Sequence, residues 1–118
     1  MFPLKGKTFV VHQTDDADES FRAAAGHATD QCVGQLLARI GRFADTGKLR
    51  FPDQLNNEGD GFYAIKATCG LRAYFWYASS ERWVVVISHY QFKDYEKLKP
   101  QDKKRMKQNR EIWERGRV

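Results

Sequence analysis

The spacing of apolar residues changes along the chain, and each change marks an element. Residues 7–13, KTFVVHQ, are short and β-branched and run directly into the polar cluster TDDADES, so a strand should give way to a helix start. A first helix is expected from about Asp16 to Ala25, stopping near Gly26. A second begins with Thr29 or Asp30 as its cap. From there Cys32, Val33, Leu36, Leu37, Ile40 and Phe43 recur at spacings of three and four and share one helical face, which should pack on a sheet. Gly47 suits the left-handed residue that closes such a helix.

Residues 49–61, LRFPDQLNNEGDG, have the Pro, Asn, Asp and Gly content of a loop. Three strands follow, at about 62–67, 71–77 and 83–92, with connections too short for anything but antiparallel hairpins. RWVVVISHY is apolar on both parities, as expected of a central strand covered on both faces. Pro100 then opens a cationic helix with a narrow apolar stripe anchored by Met106 and Trp113. The expected fold is α+β, in the order β-α-α-β-β-β-α: an antiparallel sheet, an N-terminal helical hairpin on one face and a basic C-terminal helix.

A chain of 118 residues with 42% hydrophobic positions can fill one core, so residues 1–118 are read as a single domain. No apolar run approaches the roughly 18 residues that cross a bilayer, and the N-terminus breaks into charge early, which gives a cytoplasmic expectation without membrane contact. Cys32 and Cys69 lack metal-ligand or framework spacing and are expected to be free thiols. Asp15, Asp16, Asp18 and Glu19 are better explained by the first helix's N-terminus than by a metal, and no cofactor is expected. GRFADTGK, residues 41–48, has the wrong glycine spacing and follows a helix, so it is not a phosphate loop. Charge is polarised: residues 1–60 carry 7 Lys and Arg against 9 Asp and Glu, residues 61–118 carry 13 against 6. An anionic partner, nucleic acid or acidic protein, should therefore meet the second half.

The candidate chemistry lies in GFYAIKATCGLRAYFWY, where Lys66 and Arg72 are the only charged residues. A two-residue turn at Cys69-Gly70 would put the two cations on opposite faces. A three-residue loop, 68–70, with Gly70 left-handed, would pair them directly. Like charges so placed repel and call for an external anion, most simply a phosphate. The next strand end, SHYQFKDYEK, adds His89, Tyr90, Lys93 and Tyr95, groups suited to proton transfer or to stabilising a phosphorane. Tyr74, Trp76 and Tyr90 are candidates for base stacking as well as core-formers, and His12 and His27 fall outside the cluster.

These motifs, GFYAIK, LRAYFWY and HYQFKDYEKLKP, resemble the RelE/HigB-like toxins, in particular the phage-derived HigB-like branch, over about residues 49–113. The resemblance implies a type II toxin that cleaves mRNA on the ribosome without a metal. Lys66 and Arg72 would hold the scissile phosphate, and Lys93, with His89 or Tyr95, would handle protons. Lys103, Lys104 and Arg105 of the last helix would contact RNA. The implied partners are ribosome-bound mRNA and a small antitoxin of helix-turn-helix type. Ala64, where that branch has Glu, and Asp94, which breaks a Lys pair, depart from the pattern. ParE-like gyrase inhibitors share the fold, so a non-catalytic binding module is the alternative.

Overall fold

In the computed structural model, which describes residues 2–93 and 98–116, one six-stranded sheet carries helices on both faces. Strand β1 (Leu4–Lys5) leads to β2 (Val10–Gln13), helix α1 (Asp15–Ala25) and helix α2 (Asp30–Thr46). Strands β3 (Leu55–Gly59), β4 (Phe62–Lys66), β5 (Leu71–Tyr77) and β6 (Val84–Phe92) follow, then helix α3 (Pro100–Arg115). The spatial order is β1-β2-β6-β5-β4-β3.

The caps read from sequence form as expected. Thr29 accepts the Cys32 amide at the start of α2, and Gly47, at φ 69°, closes it. Helix α1 instead takes Thr14 as its cap, one residue ahead of its acids.

Three features differ from the expected fold. The sheet is mixed rather than antiparallel: β3 to β6 form the meander, but β2 runs parallel to β6, a pairing that needs the long crossover supplied by α1 and α2. The segment read as a loop contains β3, whose LNNEG sequence has low strand propensity. It forms because β4 presents a free edge, and it carries a bulge between Asn57 and Gly59. A further strand, β1, absent from the expected order, pairs antiparallel with β2 at the sheet edge, while the two N-terminal helices pack on the sheet as the apolar face of α2 requires.

Cys32 and Cys69 are not free thiols. The β4–β5 loop lies over the first turn of α2, where Gln35 Oε1 accepts the Thr68 amide at 2.7 Å, and the two cysteines form a disulfide with Cα atoms 6.1 Å apart. No described helix is long and apolar enough to cross a membrane.

Two cores result. Leu36, Ile40 and Phe43 of α2 and Ala17 and Ala24 of α1 pack on Ala73, Phe75, Ile87 and Tyr90. On the other face Met106 of α3 sits among Phe62, Ala64, Tyr74, Trp76 and Val86, with Trp113 at the margin. Strand β6 is central and covered on both sides, as its double apolar parity requires.

The hairpin register is settled by Gly70. The Ala67 amide donates to Leu71 O at 2.8 Å, Gly70 takes φ 100°, and Lys66 pairs directly with Arg72 across a three-residue loop. A Cβ at Gly70 would lie 2.2 Å from the Lys93 carbonyl oxygen. Gly70→Ala should therefore cost about 2 to 3 kcal/mol in urea unfolding, through both clash and left-handed strain. A loss below about 0.5 kcal/mol would contradict this register.

Candidate functional site

The sheet face beneath α3 collects most of the sequence-derived candidates, and a single extra residue in β6 adds His89 and Lys93 to it. Tyr74 pairs with His89, but Phe75 pairs with Ile87, so Ser88 is a bulge. Strict alternation from Val84 and Val86 would have sent Ser88 and Tyr90 to the α3 face. After the bulge it is His89, Gln91 and Lys93 that face α3, while Tyr90 turns to the opposite core and meets the edge of Phe21 at 4.9 Å. The bulge is pinned from both sides. Thr14 Oγ1 donates to Ser88 O at 2.6 Å, and Asn109 Nδ2 donates to Ser88 O at 3.1 Å and to Ser88 Oγ at 3.0 Å.

Lys66 and Arg72 are both buried, at 6% and 3% exposure, side by side at the loop end of the β4–β5 hairpin. Arg72 is the cross-strand neighbour of Gln91, and its Nε donates a long bond to Gly70 O at 3.3 Å. Lys93 donates from Nζ to Asp102 Oδ2 at 2.5 Å, with both side chains under 10% exposed. Burial pushes the Asp102 carboxyl upward, but the bonds from Lys93, the Lys99 amide and Gln91 outweigh it and hold the group below the usual carboxylate range. An internal acid thus stands beside the cations, which the hairpin sequence alone does not contain. Tyr95 lies outside the described residues.

His89 is fully buried. Its ring lies 5.1 Å from that of Tyr74, and its Nδ1 shares a hydrogen bond of 3.0 Å with Ser88 Oγ. Burial, assisted by the Arg105 cation, pushes its pKa down to about 4, so the imidazole is neutral near pH 7. Among the described residues, His89 Nε2, Tyr74 OH and Gln91 Oε1 are buried without a partner at full hydrogen-bond geometry, with Arg72 the polar neighbour of Tyr74 and Gln91 that of His89. Burial also raises the Tyr74 phenol, an effect partly offset by the nearby Arg72 guanidinium.

The proposed stacking role of Tyr74, Trp76 and Tyr90 does not survive. All three are 2% exposed or less, and Trp76 Nε1 and Tyr90 OH are bonded to Glu114 and Gln13. The α3 cations divide. Lys103 pairs with Asp60 at 3.3 Å, and Arg105 forks onto Asp16 at 2.7 and 2.6 Å, while Lys104 is exposed. The Asp16 carboxyl is held low first by its Arg105 bond, against the opposing effect of burial, with further help from Asn109. Sequence reasoning missed Asp16, Ser88, Asp102 and Asn109 as members of this cluster. Only Asp102 had a local signal, as an acid in the first turn after Pro100.

No family model, curated protein or solved structure matches the chain.

The buried neutral imidazole sets a pH dependence. Unfolded His89 takes a proton below about 6.5 and folded His89 only near 4. Stability should therefore fall as pH drops through that window, by about 3 kcal/mol in all. Asp16 and Asp102 act with the same sign at lower pH, since each keeps its contribution above the unfolded carboxylate pKa and loses it as pH falls. In urea unfolding measured across this range, His89→Asn should flatten the dependence above pH 4. Equal slopes for wild type and variant would refute a buried neutral His89.

Proposed function

We propose that the chain is a RelE/HigB-like toxin, a metal-independent endoribonuclease acting on ribosome-bound mRNA and held in check by a small antitoxin. The observation that carries this reading is the Lys66–Arg72 pair in direct register, buried on the sheet face that also carries Tyr74, His89 and Gln91. Cations gathered on one buried face suit a phosphate, whose oxygens would accept hydrogen bonds from Lys66, Arg72 and the Tyr74 hydroxyl.

In the reaction this implies, the RNA 2′-hydroxyl gives up its proton to solvent water as its oxygen attacks the adjacent phosphorus and the bond to the 5′-oxygen breaks, leaving a 2′,3′-cyclic phosphate and a 5′-hydroxyl. Lys66 and Arg72 stabilise the charge that grows on the phosphoryl oxygens. Lys93, released from Asp102, supplies the proton to the departing 5′-oxygen. His89, buried and neutral, is a positioning residue that fixes Tyr74 and the bulge rather than a proton carrier. RNA reaches this face when the first turn of α3, which carries Asp102, moves aside.

Expression in a bacterium should arrest growth and create new mRNA 5′ ends. Arg72→Gln should reduce cleavage by about 10²-fold or more while unfolding at a similar urea midpoint. Normal growth with intact transcripts in cells that contain the soluble wild-type protein would remove the reading.

The burial of His89 and the tight Lys93–Asp102 pair favour a second reading, a non-catalytic module of RelE/ParE type that binds gyrase, nucleic acid or another protein. It gives salt-dependent binding without cleavage.

A further inference from the structure

On the opposite side of the sheet, α2 and residues 48–54 enclose an open cleft of about 720 Å³, lined by Arg39, Arg42, Lys48 and Arg50 with Gln35 and Gln54. This cleft lies wholly in the half of the sequence whose net charge is negative. Arg39 and Arg42 stand three apart on α2, a spacing at which like charges weaken a helix. Arg50 has Asp53 within 3.5 Å, but both side chains are about two-thirds exposed, so the pair contributes little. Asp45 of α2 accepts from the Lys7 amide and serves the β1–β2 loop.

Arg39 is the anchor of the group. Its Nη1 donates to the Lys66 carbonyl at 2.6 Å, which fixes the guanidinium beside the cleft. Burial, and then the Arg50 charge, lower its pKa against the opposing pull of Asp53, so it stands partly desolvated in a cationic setting. Phe51, which follows Arg50 in the chain, is 56% exposed.

We propose that this cleft binds the sugar–phosphate backbone of single-stranded nucleic acid, with Arg39, Arg42, Lys48 and Arg50 on phosphates and Phe51 stacked on a base. Planar guanidinium forks match phosphate oxygens in pairs, and an open channel tracks an extended strand. The exposed aromatic ring selects nucleic acid over an acidic peptide, because every base offers a π face and Asp and Glu side chains do not. The cleft is formed without α3, so it works whatever activity the covered face has.

The test is fluorescence anisotropy with the full chain and a labelled oligo-uridine whose 2′-hydroxyls are methylated, so that it cannot be cleaved. Failure of the nuclease reading therefore leaves this measurement untouched. Binding should weaken as salt rises. The exposed triple variant Arg42→Gln, Lys48→Gln, Arg50→Gln should lose about tenfold or more in affinity and flatten the log–log salt slope by about 2. The charge-matched control Lys5→Gln, Arg22→Gln, Arg115→Gln should lose far less. Phe51→Ala should weaken binding about fivefold with the salt slope unchanged. Equal losses in the two triple variants would reduce the effect to net charge and overturn the site. Competition by polyglutamate as effective as by unlabelled RNA, at equal charge, would overturn the nucleic-acid assignment in favour of an acidic protein.

Discussion

The peptide carbonyl of Ser88 is the point on which both helical layers depend. A bulge takes one residue out of the ladder, and a buried carbonyl there must find partners elsewhere. It receives the Thr14 hydroxyl from the start of α1 and the Asn109 amide from α3, one from each side of the sheet. The Thr14 oxygen also accepts the Ala17 amide, so the cap of α1 and the docking of α1 on β6 are one interaction. Asn109 in turn reaches Asp16, which holds Arg105. The same extra residue decides that His89, Gln91 and Lys93, rather than Ser88 and Tyr90, look toward α3.

That outcome is costly in charge. Lys66, Arg72 and Lys93 occupy a face that an apolar set would cover more stably, since desolvating cations is repaid only by well-placed partners. Helix α3 is suited to such a face. Its buried apolar contact is chiefly Met106, and it docks largely through polar groups: Asp102 on Lys93, Arg105 on Asp16, and Arg110 with its guanidinium 4.3 Å from the Phe62 ring centroid. An element held mainly by polar bonds opens at lower free energy than one held by a wide apolar stripe. The cover over the cation cluster is thus the helix least committed to the core.

The extents of α2, β5 and α3 were legible because local signals carried them: a Thr cap, a left-handed glycine, a Pro start and apolar periodicity. The Lys66–Arg72 register was legible as one of two outcomes, and the three-residue loop with Gly70 decided between them. The bulge at Ser88 was not. VVVISHYQF reads as uninterrupted alternation, and what bends it is a set of hydrogen bonds to residues 74 positions before it and 21 after it. The same distance hid the Asp16–Arg105 fork and the Cys32–Cys69 bond, whose partners come together only when the sheet forms. Strand β3 was missed because its pairing comes from the edge of β4 and not from its own residues.

Charge summed along the chain pointed to the second half as the anion-binding part, whereas the fold distributes the cations differently. Of the second half's basic groups, Lys93, Lys103 and Arg105 are engaged by acids, and Lys66 and Arg72 are buried. In the acidic first half, Arg42, Lys48 and Arg50 stand open around one cleft. The two regions meet at one peptide group, the Lys66 carbonyl, where Arg39 fastens the cleft to the strand that carries the buried pair. A phosphate chain drawn to the cleft would therefore bear on the same β4 end from the opposite side of the sheet.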